Sequence, residues 1–389
     1  MDKNKVNVPK IRFPGFTDSW EQRKLNEFIE TSNEKNSDDV YNKDDVLSVS
    51  GNFGIVNQIE FQGRSFAGAS VSNYGVVNTG SIVYTKSPLK RNPFGIIKTN
   101  KGKSGIVSTL YAVYKPKENT NPNFVQCYFE LDYRLNNYLK PLVNKGAKND
   151  MKVSDDNALL GLVIFPSYEE QTKISVFLET LDNLITLHQR KLEHLKDKKK
   201  GLFQKMFPKE GEIFPEVRFP GFTDPWEQRK VMDTAPLQRG FDLPKGEMKV
   251  GPYPVIMSNG INGYHSEYKV KGPGVITGRS GTIGNLHYTE CNYWPHNTAL
   301  WVTDFKCNYP RYIYYMYQRL NLNRFGTGSG VPTLNRNDVH SEVISLPNRE
   351  EQIQIAEFFT NLDNLITLHK RKLEHLQQQK KGLLQQMFI

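Results

Sequence analysis

Cysteine is scarce in this sequence: Cys127, Cys291 and Cys307 are the only three among 389 residues. That number and placement supply neither a disulfide framework nor the Cys/His ligand spacing of a zinc site. No run of eighteen apolar residues occurs, and the N-terminal "MDKNKVNVPK" lacks the apolar stretch of a secretory signal. The expectation is a cytoplasmic protein with no membrane association. Acidic residues are outnumbered, with 41 Asp+Glu against 51 Lys+Arg and a formal charge of +10. Such an excess favours a polyanionic partner without dictating a fold.

Catalytic signatures are missing too. "NKGKSG" contains Gly102-Lys103-Ser104, but a P-loop needs glycine five residues before that glycine, where Ile97 stands. "GTGSG" (326–330) follows a helical pattern, whereas the dinucleotide fingerprint follows a strand. "RNPFG" has one proline where amino-methyltransferases carry Asp/Asn-Pro-Pro-aromatic. No paired-carboxylate-plus-lysine nuclease motif and no metal-spaced cluster is present. These absences argue against catalysis and against a cofactor in this chain.

What is present is repetition. "RFPGFTDSWEQRKL" (12–25) returns as "RFPGFTDPWEQRKV" (218–231), at an offset of 206. "LDNLITLHQRKLEHL" (181–195) returns as "LDNLITLHKRKLEHL" (362–376), at an offset of 181. The segments between therefore differ in length by 25 residues, and they share little sequence. The pattern is constant–variable–constant–variable–constant: a duplication whose middles have diverged, with too few copies for a solenoid.

The longer phrase is a helix. With Ile174 at d, the a/d positions run Ile174, Leu178, Leu181, Ile185, His188, Leu192, Leu195; the second copy gives Ile355, Phe359, Leu362, Ile366, His369, Leu373, Leu376. Sustained 3–4 spacing is a coiled-coil seam. A helix of roughly 39 residues would span about 58 Å, too long to bury its stripe on its own small domain. The two are expected to pair with each other, antiparallel, so that one variable segment hangs at each end of a pseudo-dyad. His188 and His369 are read as polar seam residues near that crossing.

The repeated FPGF…WEQRK phrase then becomes a joint carrying a helix end into a variable segment. The first helix runs through "MFPKEGEIFPEVRFPGF" into the second segment. The second helix ends at Phe388 and Ile389, and "NVPKIRFPGF" at the N-terminus supplies the matching joint. Phe13, Phe16 and Trp20, with Phe219, Phe222 and Trp226, are packing anchors in this reading.

The fold class expected is α+β: two small mixed α/β domains separated by a long antiparallel two-helix coiled coil, with pseudo-twofold symmetry. The boundaries are 1–165 for the N-terminal joint and first domain, 166–212 for the first helix, 213–345 for the second domain and 346–389 for the second helix. In the first segment "GSIVYT", "FGIIKT" and "GIVSTLYAVY" read as strands. "NFVQCYFELDYRLNNYL" reads as one helix with Phe124, Tyr128, Leu131, Leu135 and Tyr138 on one face. "GPGVITGRSGTIGNLHY", "NTALWVTDF" and "RYIYYMYQRLNL" repeat that order in shorter form.

The loops suit nucleic acid, since Lys and Arg bind phosphates while Arg, Asn and Ser can read base edges. Candidates in the first segment are Lys86, Lys90, Arg91 and Asn92; Lys101, Lys103 and Ser104; and Lys145 and Lys148. The second segment offers Ser258, Asn259 and Asn262; Arg279, Ser280 and Thr282; and Thr327 and Ser329. Arg279 is the leading candidate for a base contact.

These phrases together resemble one family closely. The paired "EEQ…LDNLITLH…RKLEHL" helices and the "FPGF…WEQRK" joint are similar to those of the specificity subunit of type I restriction-modification enzymes, over essentially the whole chain. The resemblance implies two target recognition domains, each reading half of a split, asymmetric site on double-stranded DNA. It implies helices that act as spacer and dock two methyltransferase subunits, together with two motor/endonuclease subunits. S-adenosylmethionine, ATP and Mg would then belong to those partners. A self-contained DNA methyltransferase or nuclease, and a DNA-independent scaffold, are the rival readings.

Overall fold

The structure is a computed structural model that describes residues 7–145, 151–327 and 332–389. Its contacts separate two compact units, Met1–His188 with Lys372–Ile389, and Gln189–Arg371, so the division falls inside both long helices. The helices that matter here are α1 (Pro122–Tyr128), α2 (Asp132–Leu139), α3 (Tyr168–Lys205), α4 (Pro310–Leu320) and α5 (Arg349–Gln386). The two long ones have 38 residues each.

Within the first unit, β1 (Ile29–Thr31), β2 (Ile82–Thr85), β3 (Ile97–Thr99) and β4 (Tyr111–Pro116) form an antiparallel sheet in the order β1-β4-β2-β3. Within the second, β5 (Leu237–Arg239), β6 (Gly274–Gly278), β7 (Leu286–Thr289) and β8 (Ala299–Val302) form another in the order β5-β8-β6-β7. The topology is the same although the sequences are not. One of the two central strands of each sheet is buried along its whole length, "IVYT" in one and "GVITG" in the other, and apart from Tyr84 its residues are β-branched or small.

The repeated joint closes each domain at its base. Glu21–Lys24 pairs antiparallel with Leu162–Phe165, and Glu227–Lys230 pairs in the same register with Val343–Leu346. The chain entering each variable segment is thus zipped to the chain leaving it. "EQRK" is exposed at all four positions in both copies, whereas the preceding Trp20 and Trp226 are buried. Trp20 packs on Phe124 and Phe388, with ring centroids 6.2 Å away in both cases. Trp226 meets Tyr312 at 6.5 Å and Phe207 at 6.2 Å. In "FPGF" the glycines have φ of 93° and 95°, which the turn after Pro14 and Pro220 requires and a side chain would strain.

The joint split between the chain termini has the hydrogen bonds of the continuous one. Ile11 N donates to Gln386 O at 3.0 Å, as Val217 N does to Lys205 O at 3.0 Å. Trp20 N donates to Asn7 O, as Trp226 N does to Ile213 O. Phe13 stands edge-on to Phe177 at 5.7 Å, and Phe219 to Phe358 at 5.8 Å.

Arg12 grips Glu170 through Nε and Nη2 at 2.7 and 2.8 Å; Arg218 grips Glu351 with both contacts at 2.7 Å. Both carboxylates are buried, with relative exposures of 1% and 0%. The next residue holds the domain helix. Gln171 Oε1 accepts from Asn121 N at 3.0 Å, and Gln352 Oε1 from Tyr309 N at 2.9 Å, immediately before Pro122 and Pro310 open α1 and α4. Pro166 O and Pro347 O each accept from the same glutamine's Nε2 at 3.0 Å.

Two local findings refine the expectations. The 123–139 stretch is two helices rather than one, because the chain becomes extended at Leu131. Arg134 turns back there, donates to Tyr128 O at 3.0 Å and lies 5.0 Å from the Tyr128 ring, which caps the C-terminus of α1. The a/d residues Leu178, Leu181, Leu192, Leu195, Phe359, Leu362 and Leu376 are buried, and Ile185, His188, Ile366, His369 and Leu373 are half-buried. In the second unit α3 and α5 meet in opposite directions: Lys199 Nζ reaches Asp363 at 2.6 Å, and Phe203 meets Phe359 at 5.1 Å. The first unit has the equivalent contact, Lys380 Nζ to Asp182 at 2.7 Å.

Breaking one junction pair should be severe. Glu351→Ala leaves a nearly buried guanidinium unpaired, and a loss of about 3–5 kcal/mol is expected. The double variant Arg218→Met/Glu351→Leu should recover most of it. Chemical denaturation of the full chain, followed by tryptophan fluorescence, checks both outcomes.

Candidate nucleic-acid interface

In the second unit three candidate loops converge. The turn from β6 to β7 begins at Arg279, whose N donates to Thr298 O at 2.9 Å, as Ser280 N does at 3.2 Å. Ser258 N donates to Thr298 Oγ1 at 3.4 Å, which brings in the loop ahead of Gly260. Leu334 N donates to Arg279 O at 2.7 Å, and Gly281 N to Pro332 O at 3.3 Å, which ties the chain just beyond the third loop to the same turn. A Cβ on Gly278 would lie 1.8 Å from Thr282 O, so only glycine permits this closure.

The side chains around that convergence are polar and accessible. Asn259, Asn262, Thr282 and Thr327 are exposed; Ser258, Arg279 and Ser280 are half-buried. Asn262 Nδ2 lies 3.0 Å from the Met257 sulfur, and Thr327 Oγ1 donates to Thr333 O at 3.3 Å. The Arg279 guanidinium has a single long contact, to Asn297 O at 3.5 Å, and no carboxylate partner among the described residues. Its fork is therefore available for a ligand. Ser329 lies outside the described residues.

Three side chains that the sequence reading did not single out belong to the same cluster: His287, His296 and Thr298. His296 Nδ1 and Thr298 Oγ1 are 3.0 Å apart. Burial lowers the pKa of both His287 and His296 below the ordinary histidine value, so each is neutral at pH 7. Neutral imidazoles here can exchange hydrogen bonds but add no charge against phosphate. "LHY" and "WPHNT", with histidine beside strand-forming aromatics, are the available sequence signal.

In the first unit the candidates are more dispersed, and several have structural partners. Lys86 pairs with Asp155 at 2.9 Å and Lys101 with Glu179 at 3.0 Å. Asn92 is buried, and its Nδ2 donates to Asp132 at 2.9 Å while its carbonyl closes a turn with Leu89 N and Gly95 N. Lys90, Arg91 and Lys103 are exposed, and Ser104 is half-buried. Asn136 Nδ2 donates to Arg91 O, tying this loop to α2. Lys145 sits on a two-residue strand, Asn144–Lys145, paired with Met151–Lys152, and Lys148 lies outside the described residues. Of the candidate cations in this unit, Lys90, Arg91 and Lys103 are exposed and have no ion-pair partner among the described residues.

Among the described residues no group of three or more His, Cys, Asp or Glu could hold a metal ion, and no helix is long and apolar enough to cross a membrane. The Cys127 thiol is pushed up to about 12 by burial and is not a nucleophile at neutral pH.

Comparison with known proteins gives a concordant result. The family described as the type I restriction modification DNA specificity domain matches residues 17–197 and 223–378. A putative type I restriction enzyme MjaX specificity subunit from Methanocaldococcus jannaschii is 21% identical over 295 residues, covering 69% of this chain and 68% of that protein. The crystal structure of a type I restriction-modification S subunit from M. genitalium superposes with a TM-score of 0.66 at 11% identity, covering 98% of this chain and 99% of that one. A chain solved in work on complex assembly and conformational transition of the type I R-M system gives 0.50 at 15% identity, with coverage of 98% and 99%. Two matched copies, one on each side of the duplication, account for most of the sequence, and the chain belongs to the type I restriction-modification DNA specificity family.

Proposed function

We propose that each variable segment reads one half of a split, asymmetric duplex site, and that α3 and α5 pair along their length as an antiparallel coiled coil spacing the two readers. The observation that carries this is the pair of equally mounted, differently faced domains. Both have the same sheet order and the same zipped ribbon at the base, on segments that share little sequence. Equal mounts facing one duplex follow its dyads, and unequal readers on them select unequal half-sites.

The duplication also supports the partner reading. Leu184 and Leu187 are exposed on α3, and their counterparts Leu365 and Leu368 are exposed on α5. Residues i and i+3 share one helix face, so each pair is a small apolar patch away from the seam. A patch written twice fits two copies of the same partner, which we assign as the methyltransferase subunit. Methyl transfer, ATP hydrolysis and cleavage then belong to methyltransferase and motor subunits, which would hold S-adenosylmethionine, ATP and Mg. This chain supplies the address and no catalytic group.

Three outcomes are expected. Replacing residues 232–345 with the matching segment of a relative should change one half-site and leave the other intact in methylome sequencing; alteration of both would defeat the modular reading. Arg279→Ala should relax one base position of the second half-site, with discrimination falling by about 1–3 kcal/mol in competition binding, the range of a bidentate arginine contact. Leu184→Glu/Leu187→Glu should reduce bound methyltransferase from two copies to one by light scattering, and adding Leu365→Glu/Leu368→Glu should abolish binding.

A further inference from the structure

From Leu181 and Leu362 onward the two copies of the long helix are nearly the same text, and several of their differences there change charge. "HLKDKKKG" (194–201) in the first copy stands as "HLQQQKKG" (375–382) in the second. Lys196 corresponds to Gln377 and Lys200 to Lys381. The domain helices can be aligned on Pro122 and Pro310, which occupy the same first-turn position. On that alignment Gln318 stands where the first unit has Glu130, and Arg319 stands where it has Leu131.

These substitutions act at one place. In the first unit the half-buried Lys380 is held by Asp182 at 2.7 Å and Glu130 at 3.3 Å, and Glu130 also pairs with Lys98 at 3.5 Å. Burial alone would lower the Lys380 ammonium, but the two carboxylates outweigh it and hold it above its ordinary value. The site is neutralised from within. In the second unit the matching Lys199 has Asp363, at 2.6 Å, and its ammonium lies 5.6 Å from the Tyr315 ring. Around it opens a groove of about 540 Å³ whose rim carries Lys196, Lys200 and Arg319. All three are exposed, and none has an ion-pair partner among the described residues. The groove thus holds four cations against the single carboxylate of Asp363.

Arg319 at the rim of the groove is followed in the chain by the short helical turn Leu322–Phe325, which packs on the turn between β6 and β7. One turn beyond Arg319, Asn323 abuts Gly284 so closely that a Cβ there would lie 2.4 Å from Asn323 Oδ1, and Ile283 abuts Gly326. The β6–β7 turn that carries Arg279 therefore rests on the short turn that follows α4. Lys196 and Lys200, four residues apart, stand on the same face of α3, about 5–6 Å apart at Cβ. Unpaired cations at that interval, in the unit that also carries the Arg279 turn, suit a duplex backbone, which carries one negative charge per ~1.7 Å of axis.

We propose that this groove in the second unit clamps the phosphate backbone beside the second half-site, and that the first unit, neutralised at the equivalent place, has no such clamp. The clamp rests on the DNA-reading function argued above and adds a sequence-independent grip on one side of the site. A protein partner presenting carboxylates is the competing occupant. The excess of unpaired cations, and the packing of the segment after Arg319 on the turn that carries Arg279, favour DNA.

The test uses the full chain assembled with its methyltransferase partner and a labelled duplex of random sequence long enough to span both readers. The variant is Lys196→Gln/Lys200→Gln/Arg319→Gln; glutamine already stands at the counterpart of Lys196, and the other two positions are exposed, so the helices tolerate it. A charge-matched control is Lys140→Gln/Lys372→Gln/Lys381→Gln, exposed lysines of the first unit. Each lost phosphate contact reduces the slope of log K against log salt by about 0.9, so the groove variant should lose about 2 to 3 in slope while the control keeps that of the parent chain. Equal slopes for parent and groove variant would overturn the clamp, and loss of the methyltransferase from the variant on gel filtration would assign the groove to protein instead. Failure of the parent chain itself to bind duplex with a steep salt dependence would overturn the reading function along with the clamp.

Discussion

A carboxylate taken out of water costs several kcal/mol unless it is paired with good geometry. Glu170 and Glu351 are in that position at the start of the long helices, and each is matched by a bidentate arginine from the repeated joint. The neighbouring glutamine is equally enclosed but neutral, and it satisfies a backbone N–H before the domain helix and a proline carbonyl behind it. Two consecutive side chains therefore fix two different attachments. Glutamate fixes the joint that leads into a variable domain, and glutamine fixes the helix inside that domain. Given these anchors, the antiparallel ribbon can close, and the tryptophan beside it is enclosed by rings from the domain helix and the helix end.

This explains why "RFPGF", "WEQRK" and "EEQ" recur together: they are the parts of one contact. The sequence made that grouping legible through repetition, since the phrases return as intact strings. Buried a/d leucines, the strand segments and the joint across the termini were legible from periodicity and from the alignment of the two copies. Less visible was any feature set by partners distant in sequence. Asn92 looked like a loop reader because it lies between Arg91 and Pro93, yet Asp132 and a local turn hold it inside. Lys86 and Lys101 looked like free cations, yet Asp155 and Glu179 lie 69 and 78 residues away in the chain and reach them. The kink between α1 and α2 was hidden because the apolar face reads continuously through it, while the buried Arg134 that caps α1 looks like any surface arginine.

Divergence of the middles has a definite physical tolerance. Relative to the joint, the domain helix starts at an offset of 188 rather than 206, and the long helix at 181. Most of the missing length in the second segment is thus lost between joint and domain helix, where the sheet and its loops lie, and the rest after it. Sheet order survives because strand pairing needs buried β-branched and small residues at a few places, while the connections between strands run over the surface. Loops can be replaced without moving the mounts, which is the property a reader of changing DNA sequences requires.

The mounts are not fully insulated from the readers, however. Lys199 and Lys380 occupy the same position on the two long helices and take the same aspartate from the facing one. Their third neighbour comes from the variable domain: the Tyr315 ring for Lys199, the Glu130 carboxylate for Lys380. A ring face stabilises a half-buried ammonium weakly, whereas a second carboxylate beside it offsets its charge. The charge that the helix pair presents at each end is consequently set in part by whichever variable segment is mounted there. Exchange of a reader therefore alters the electrostatics beside the long helices as well as the half-site, in addition to the charge differences, such as Lys196 against Gln377, that the repeated sequence itself carries.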